Sequence, residues 1–393
     1  MYNFWQQLNK PIFCLAPMEE VTDFAFREMF ARYSSVSLRG SASDRSNLNY
    51  ETYDRIASSP DKAPASRNDT YNQFVMFTEF INVDGLTHPE GRKKLEIDLK
   101  YSEAQRPIVA QLWGRNPEKF SEAAKIIVDL GFDGIDINFG CPQAKEIAGG
   151  TCAALIREPA LAQDIIRAVK KAAGDLPVSV KTRLGYSKAD EMAGWVTTLL
   201  ETGIAALTLH GRTKQEMSKV PAQWEKIAEA VAIRDKFQIP NSKFQKTLII
   251  GNGDIKSREE GLQRVAETNV DGVMVARGAF GCPWFFNPNI EISPPVAQAR
   301  ALPTSEIMPQ EKEAGGLRNI SPQEKLRVML EHAELFDREL GQYKNFVIMR
   351  KHFKAYCSGF PGAHELRAKL METKNLEETR IIVEEYLMDI DGY

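Results

Sequence analysis

The chain has 393 residues, of which 43% are hydrophobic and 26% charged, with a formal net charge of −3. That is enough apolar material for one large core and a smaller one, and the balance excludes an overall basic field, so any nucleic-acid partner must be held by a local patch. No apolar run approaches the roughly 20 residues of a membrane span, the opening MYNFWQQLNK lacks a signal peptide's apolar stretch, and five cysteines without CxxC spacing argue against a disulfide framework or a metal site, so a cytoplasmic protein without metal is expected.

Taken in chain order, short apolar runs rich in β-branched residues alternate with longer amphipathic segments, the pattern of βα units in a parallel sheet. Eight strands are predicted: PIFCLA (11–16), FVMFTEF (74–80), PIVAQLW (107–113), DGIDINF (133–139), PVSVKTR (177–183), ALTLHG (206–211), TLIIGNG (247–253) and DGVMVARG (271–278). Between the third and fourth, Phe120, Ala123, Ala124, Ile127 and Val128 recur at helical spacing before the stop at Gly131. Eight such units in one run predict a (β/α)8 TIM barrel over 1–287. A polar, turn-rich insertion at about 39–72 precedes the second strand, and RDKFQIPNSKFQKT precedes the seventh. Residues 288–320, dense in proline, glycine and charge, read as a linker. Ser321, Pro322 and Glu324 then signal a helix start, and 321–393 reads as a small α-helical domain.

The ends of the barrel strands carry polar side chains that a packed core would not select. Gln111 closes the third strand, Asn138 and Cys141 follow the fourth, and Lys181 and Arg183 end the fifth. His210 and Arg212 end the sixth, Asn252, Gly253 and Asp254 follow the seventh, and Ala276 and Arg277 end the eighth. All fall on the carboxyl-end rim where barrel enzymes place their chemistry. Cys141 sits between glycine and proline on a tight turn, placed like a reagent, with Lys145 as a nearby cation. The other four cysteines, Cys152 among them, read as small packing residues. Glycines 251, 253 and 278 with Arg277 suit the barrel phosphate site after strands seven and eight, and no GxGxxG follows the first strand. Barrel-bound FMN fits that pattern, with Lys181 near the N1/O2 edge of the ring.

In their order, APMEEVTDFAFR, INFGCPQAK, SVKTRLG, LTLHGRT, GNGDI and VARGAFGCPW resemble the motifs of the tRNA-dihydrouridine synthases, and MRKHFKAYCSGFPGAHELRAKL (349–370) is similar to that family's terminal helices. The resemblance implies reduction of uridine in tRNA to 5,6-dihydrouridine, with NADPH or NADH reducing FMN. It implies that Pro17, Met18, Gln111, Lys181, His210, Asn252, Gly253, Asp254 and Arg277 contact the flavin. Ala276 stands beside them where the family commonly has glycine. Cys141 becomes the general acid toward uracil C5, and Asn138, Lys181, Arg183 and His210 line the uracil pocket. In the helical domain Lys351 and Lys354 lie in a basic stretch, 343–370, that also holds His352 and His364, and they are expected to track tRNA phosphates. A monomer is expected. Two alternatives are an FMN barrel oxidoreductase acting on a free pyrimidine or enone, and an RNA-binding protein with a vestigial flavin site.

Overall fold

A computed structural model describes residues 3–34, 74–238, 246–291 and 318–391. All eight predicted strands form: β1 (Ile12–Leu15), β2 (Phe74–Asn82), β3 (Ile108–Trp113), β4 (Gly134–Phe139), β5 (Val178–Arg183), β6 (Ala206–His210), β7 (Leu248–Asn252) and β8 (Gly272–Val275). They pair in parallel in sequence order, and β8 closes on β1, Ile12 opposite Gly272. Burial on both faces is why these strands read as apolar runs and not as alternating ones. Gly272 is dictated by that closure, because a Cβ there would lie 2.1 Å from the Ile12 carbonyl oxygen.

The crossover helices follow local rules. Asn116 caps the helix Pro117–Asp129, its side chain accepting from the N–H groups of Glu118 and Lys119, and Gly131 takes a positive φ of 76° just beyond its end. Phe120, Ala123, Ala124 and Ile127 are buried as the spacing predicts. Val128 is 40% exposed, because at about 100° per residue it lies about 80° from Phe120, at the edge of the stripe. None of the described helices is long and apolar enough to cross a membrane.

The chain divides into two compact units. The first carries the barrel strands and ends at Ala276; the second runs from Arg277 and includes the helix Phe24–Ser34. The boundary therefore falls ahead of the change in composition at 287. The segment 277–287 packs within the second unit, where Ser34 Oγ donates to the Pro283 carbonyl at 2.5 Å and a Cβ on Gly281 would meet the Ala355 backbone. Residues 39–72 and the middle of the 288–320 linker lie outside the described residues, but the linker's ends pair in parallel, Ile290–Glu291 with Arg318–Asn319.

In the second unit Ser321 caps Pro322–Leu340, its hydroxyl accepting from the Glu324 N–H at 3.1 Å, and the helices Met349–Tyr356, Ala363–Leu370 and Leu376–Asp391 follow. Met349, His352, Phe353 and Tyr356 form the buried stripe of their helix. His352 is thus a core residue and not part of the basic surface. It lies against His332, ring centroids 4.7 Å apart, with Phe26 and Phe280 around it. Arg350 donates to the carbonyls of Thr373 and Glu372, whereas Lys354 is exposed.

Candidate active site

Strand register assembles the rim. Asn138 lies opposite Lys181 across β4 and β5, and Arg183, His210 and Asn252 stand opposite one another across β5, β6 and β7. Two residues before Asn138 and Lys181, and so on the same strand faces, Asp136 and Ser179 are also opposite one another. Residues far apart in sequence are brought together because adjacent parallel strands end at one face.

Below the rim runs a chain of hydrogen bonds. Asp136 is fully buried; Ser179 Oγ donates to its Oδ1 and Gln111 Nε2 to its Oδ2, both at 2.6 Å. Asn138 Nδ2 donates to Gln111 Oε1 at 3.0 Å, and Asn138 Oδ1 accepts from the N–H of Gly140 at 2.9 Å and of Cys141 at 3.0 Å. Asn138 thus folds the turn that presents Cys141, leaving one Nδ2 hydrogen for a ligand. Burial raises the Asp136 carboxyl to about 6, against the pull of its two donors.

Arg183 grips the same turn from β5. Its Nε donates to the Gly140 carbonyl at 2.7 Å and its Nη1 to the Thr213 carbonyl at 3.2 Å. Burial lowers the guanidinium to about 10. Burial, followed by repulsion from Arg183, lowers the half-buried Lys181 to about 8, with Asp136 and Cys141 acting the other way. No hydrogen bond to the Lys181 ammonium is found among the described residues. A cation so placed suits an anionic ring edge.

Cys141 is half-buried and Cys152 fully buried. The Cys152 thiol donates to the Cys141 sulfur, which holds Cys141 below the ordinary thiol range, and Cys152 is correspondingly raised. The backbones meet as well, the Ala153 N–H donating to the Cys141 carbonyl at 3.3 Å. Cys152 takes a positive φ of 53°, which is uncommon outside glycine. The sequence reading of Cys152 as a packing residue agrees with its burial but does not include this thiol pair.

After the neighbouring strand β6, Arg212 pairs with Asp254 and donates to the Val220 carbonyl at 2.5 Å. Since a guanidinium only donates, its 3.2 Å contact with His210 Nε2 makes that nitrogen an acceptor, and the imidazole donor is Nδ1. Asp254 Oδ2 also accepts from the Ala222 N–H, so this carboxylate anchors the loop after β6. Gly253 has φ 137°, and a Cβ there would meet Ala222 Cβ at 2.6 Å and His210 Cδ2 at 3.3 Å. Asn252 Nδ2 donates to the Met274 carbonyl at 2.8 Å. Pro17 and Met18 follow β1, where Thr22 closes a small turn on Met18, accepting from its N–H at 2.9 Å and donating to its carbonyl at 3.1 Å. Met18 and Ala276 pack against the barrel's apolar cluster. Arg277 opens the second unit in the turn Arg277–Ala279, and Lys351 and Lys354 lie farther along that unit, on the helix Met349–Tyr356. Glu79 is buried beside a register irregularity between β2 and β3.

Asp136 and Ser179 complete the residues that the rim motifs did not single out. Their signal was available, since a carboxylate and a hydroxyl at i−2 from Asn138 and Lys181 share their strand faces.

A closed eight-stranded barrel whose strand ends present a thiol, an ammonium and a guanidinium around one turn is the scaffold of a barrel enzyme. The chain belongs to the dihydrouridine synthase family: a family model described as Dihydrouridine synthase (Dus) matches residues 14–390. It is 36% identical over 390 residues to a probable tRNA-dihydrouridine synthase of Staphylococcus aureus (strain COL), covering 99% of this chain and 97% of that protein. It is also 36% identical over 385 residues to probable tRNA-dihydrouridine synthase 2 of Bacillus subtilis (strain 168), covering 98% and 96%. A solved structure of morphinone reductase in complex with tetrahydroNAD is 11% identical, with 70% of this chain and 84% of that chain covered and a TM-score of 0.41.

Proposed function

We propose that this protein reduces uridine in tRNA to 5,6-dihydrouridine, with FMN as cofactor and NADPH or NADH as reductant. The observation that carries the reading is the half-buried Cys141 thiol on a turn fixed by Asn138 and Arg183, beside Lys181. Family membership and the names of the relatives agree with it.

The residues present fit a flavin. Lys181 brings a cation without an acceptor among the described residues, and Gly253 lets the β7 turn lie against Ala222 and His210 where any Cβ would collide. Pro17, Met18, Gln111, Lys181, His210, Asn252, Gly253, Asp254, Ala276 and Arg277 would hold it. Bound FMN supplies the hydride that reduces uracil C6. Charge then develops on C5 and the C4 oxygen of the base. Arg183, Lys181, the remaining Asn138 Nδ2 hydrogen and His210 Nδ1–H would stabilise that oxygen. Cys141 delivers the proton: its S–H bond breaks as the C5–H bond forms. The thiolate left behind keeps the Cys152 hydrogen bond and one from the Gln143 backbone, both of which strengthen Cys141 as an acid. Lys351 and Lys354 would orient tRNA through its phosphates. On this reading the protein works as a cytoplasmic monomer.

The test is flavin absorbance of the purified protein, followed by NADPH-driven dihydrouridine formation in transcript tRNA read by mass spectrometry. A colourless protein, or transcript of unchanged mass beside reduced free uridine, overturns the reading.

A further inference from the structure

We propose that Asp136 is a positioning residue for Cys141, acting by fixing the direction of the Asp136–Gln111–Asn138 hydrogen-bond chain that folds the cysteine turn. The proposal rests on the assignment of Cys141 as proton donor to uracil. Asp136 is fully buried, and its carboxylate hydrogen-bonds to Gln111 and Ser179 and not to the cysteine turn, so its effect passes through two amides.

The argument is one of donor and acceptor polarity. An ionised carboxylate only accepts, so the end of Gln111 facing Asp136 must be Nε2, as found at 2.6 Å. Gln111 Oε1 is then turned to Asn138, and only Nδ2 can meet it, as found at 3.0 Å. Asn138 Oδ1 is left for the N–H groups of Gly140 and Cys141, which only donate. The chain is closed by an acceptor at one end and by donors at the other, and each amide between them has one orientation that satisfies both neighbours. Without the acceptor at 136, Gln111 can turn about its terminal bond, and Asn138 then competes between Gln111 and the turn. Ser179 Oγ, on the other carboxylate oxygen at 2.6 Å, keeps Asp136 from rotating. A buried network of this kind is either wholly satisfied or a source of disorder. Here the disorder would fall on the loop carrying the reacting sulfur.

Two comparisons test it. In the first, Asp136→Asn retains an acceptor for Gln111 by turning Nδ2 to Ser179 Oγ, whereas Asp136→Leu removes the acceptor at similar volume. Alkylation of Cys141 by iodoacetamide is followed against pH by peptide mass spectrometry, and kcat and KM for tRNA are measured separately. Asp136→Leu should raise the alkylation midpoint by about one pH unit, tenfold less thiolate at neutral pH, because the sulfur loses its alignment with Cys152. It should also lower kcat about tenfold or more with little change in KM. Asp136→Asn should stay near the parent in both. Equal effects of Asn and Leu would mean that charge or packing, not polarity, is what Asp136 provides, and would overturn the proposal.

In the second, Asn138→Asp places an acceptor against Gln111 Oε1 and should destabilise the fold. The double change Asp136→Asn/Asn138→Asp reverses the two links through Gln111 while residue 138 still accepts from the turn, so it should recover melting temperature lost by Asn138→Asp alone. A double variant no more stable than the single, including one that also fails to fold, contradicts the proposal. Both the thiol and the melting readouts are independent of uridine reduction. If the function proposed above fails, they still decide whether Asp136 orders the Cys141 turn.

Discussion

The thiol of Cys152 donates to the sulfur of Cys141, so the rim nucleus of this barrel is a pair of cysteines of unequal acidity, the half-buried member lowered and the fully buried one raised. Replacing Cys152 by alanine removes that donor. The Cys141 thiol should rise toward its ordinary value, moving the alkylation midpoint to higher pH. A proton donor is lost as pH climbs through its pKa, so the alkaline limb of uridine reduction should move up with it. An unmoved midpoint in Cys152→Ala would show that the hydrogen bond does not tune Cys141.

Cys141→Ala should retain yellow flavin and NADPH oxidation but lose uridine reduction by about 10²-fold or more, the scale of a missing general acid. Dihydrouridine formation at the parental rate would remove Cys141 from the mechanism.

Gly253→Ala asks for a left-handed backbone at φ 137° and a methyl group 2.6 Å from Ala222 Cβ. Flavin content per mole of purified protein should fall severalfold, while the barrel's circular dichroism is preserved. Full flavin occupancy would place the cofactor away from the β7 turn.

The second unit should be acid-sensitive. Burial lowers His332 to about 3 and His352 well below its ordinary value, and both His352 nitrogens and His332 Nε2 lack hydrogen-bond partners among the described residues. Below about pH 6.5 the unfolded chain binds protons that the folded one does not, so stability falls as pH drops from 6.5 toward 3 and is fully present above 6.5. Each histidine contributes a slope of up to about 1.4 kcal/mol per pH unit in that window. His352→Leu should flatten the acid limb of a melting-temperature series between pH 7 and 4. An unchanged slope would mean that His352 takes up its proton in the folded state.

Charge reversal at Lys351 and Lys354 should weaken tRNA binding and reduce its salt dependence while sparing flavin content. The two lie three residues apart, off the buried stripe of Met349, His352, Phe353 and Tyr356. Equal affinity at moderate salt would place the tRNA elsewhere.

What could be read along the chain alone was whatever depends on neighbours within a turn or a strand. Apolar runs bounded by turn residues located all eight strands, Ser321 and Pro322 the start of the helix Pro322–Leu340, and the strand-end motifs the rim, because burial periodicity and capping are local. Pairing across strands was decided only by the closed barrel. Gln111 meets Asp136, Ser179 meets Asp136 and Arg183 meets Gly140 because parallel strands in one register share a face, a relation that no linear spacing encodes. The same holds for Cys152 turned onto Cys141 and for His352 turned inward from a basic stretch: residue type leaves their orientation open, and packing chose it.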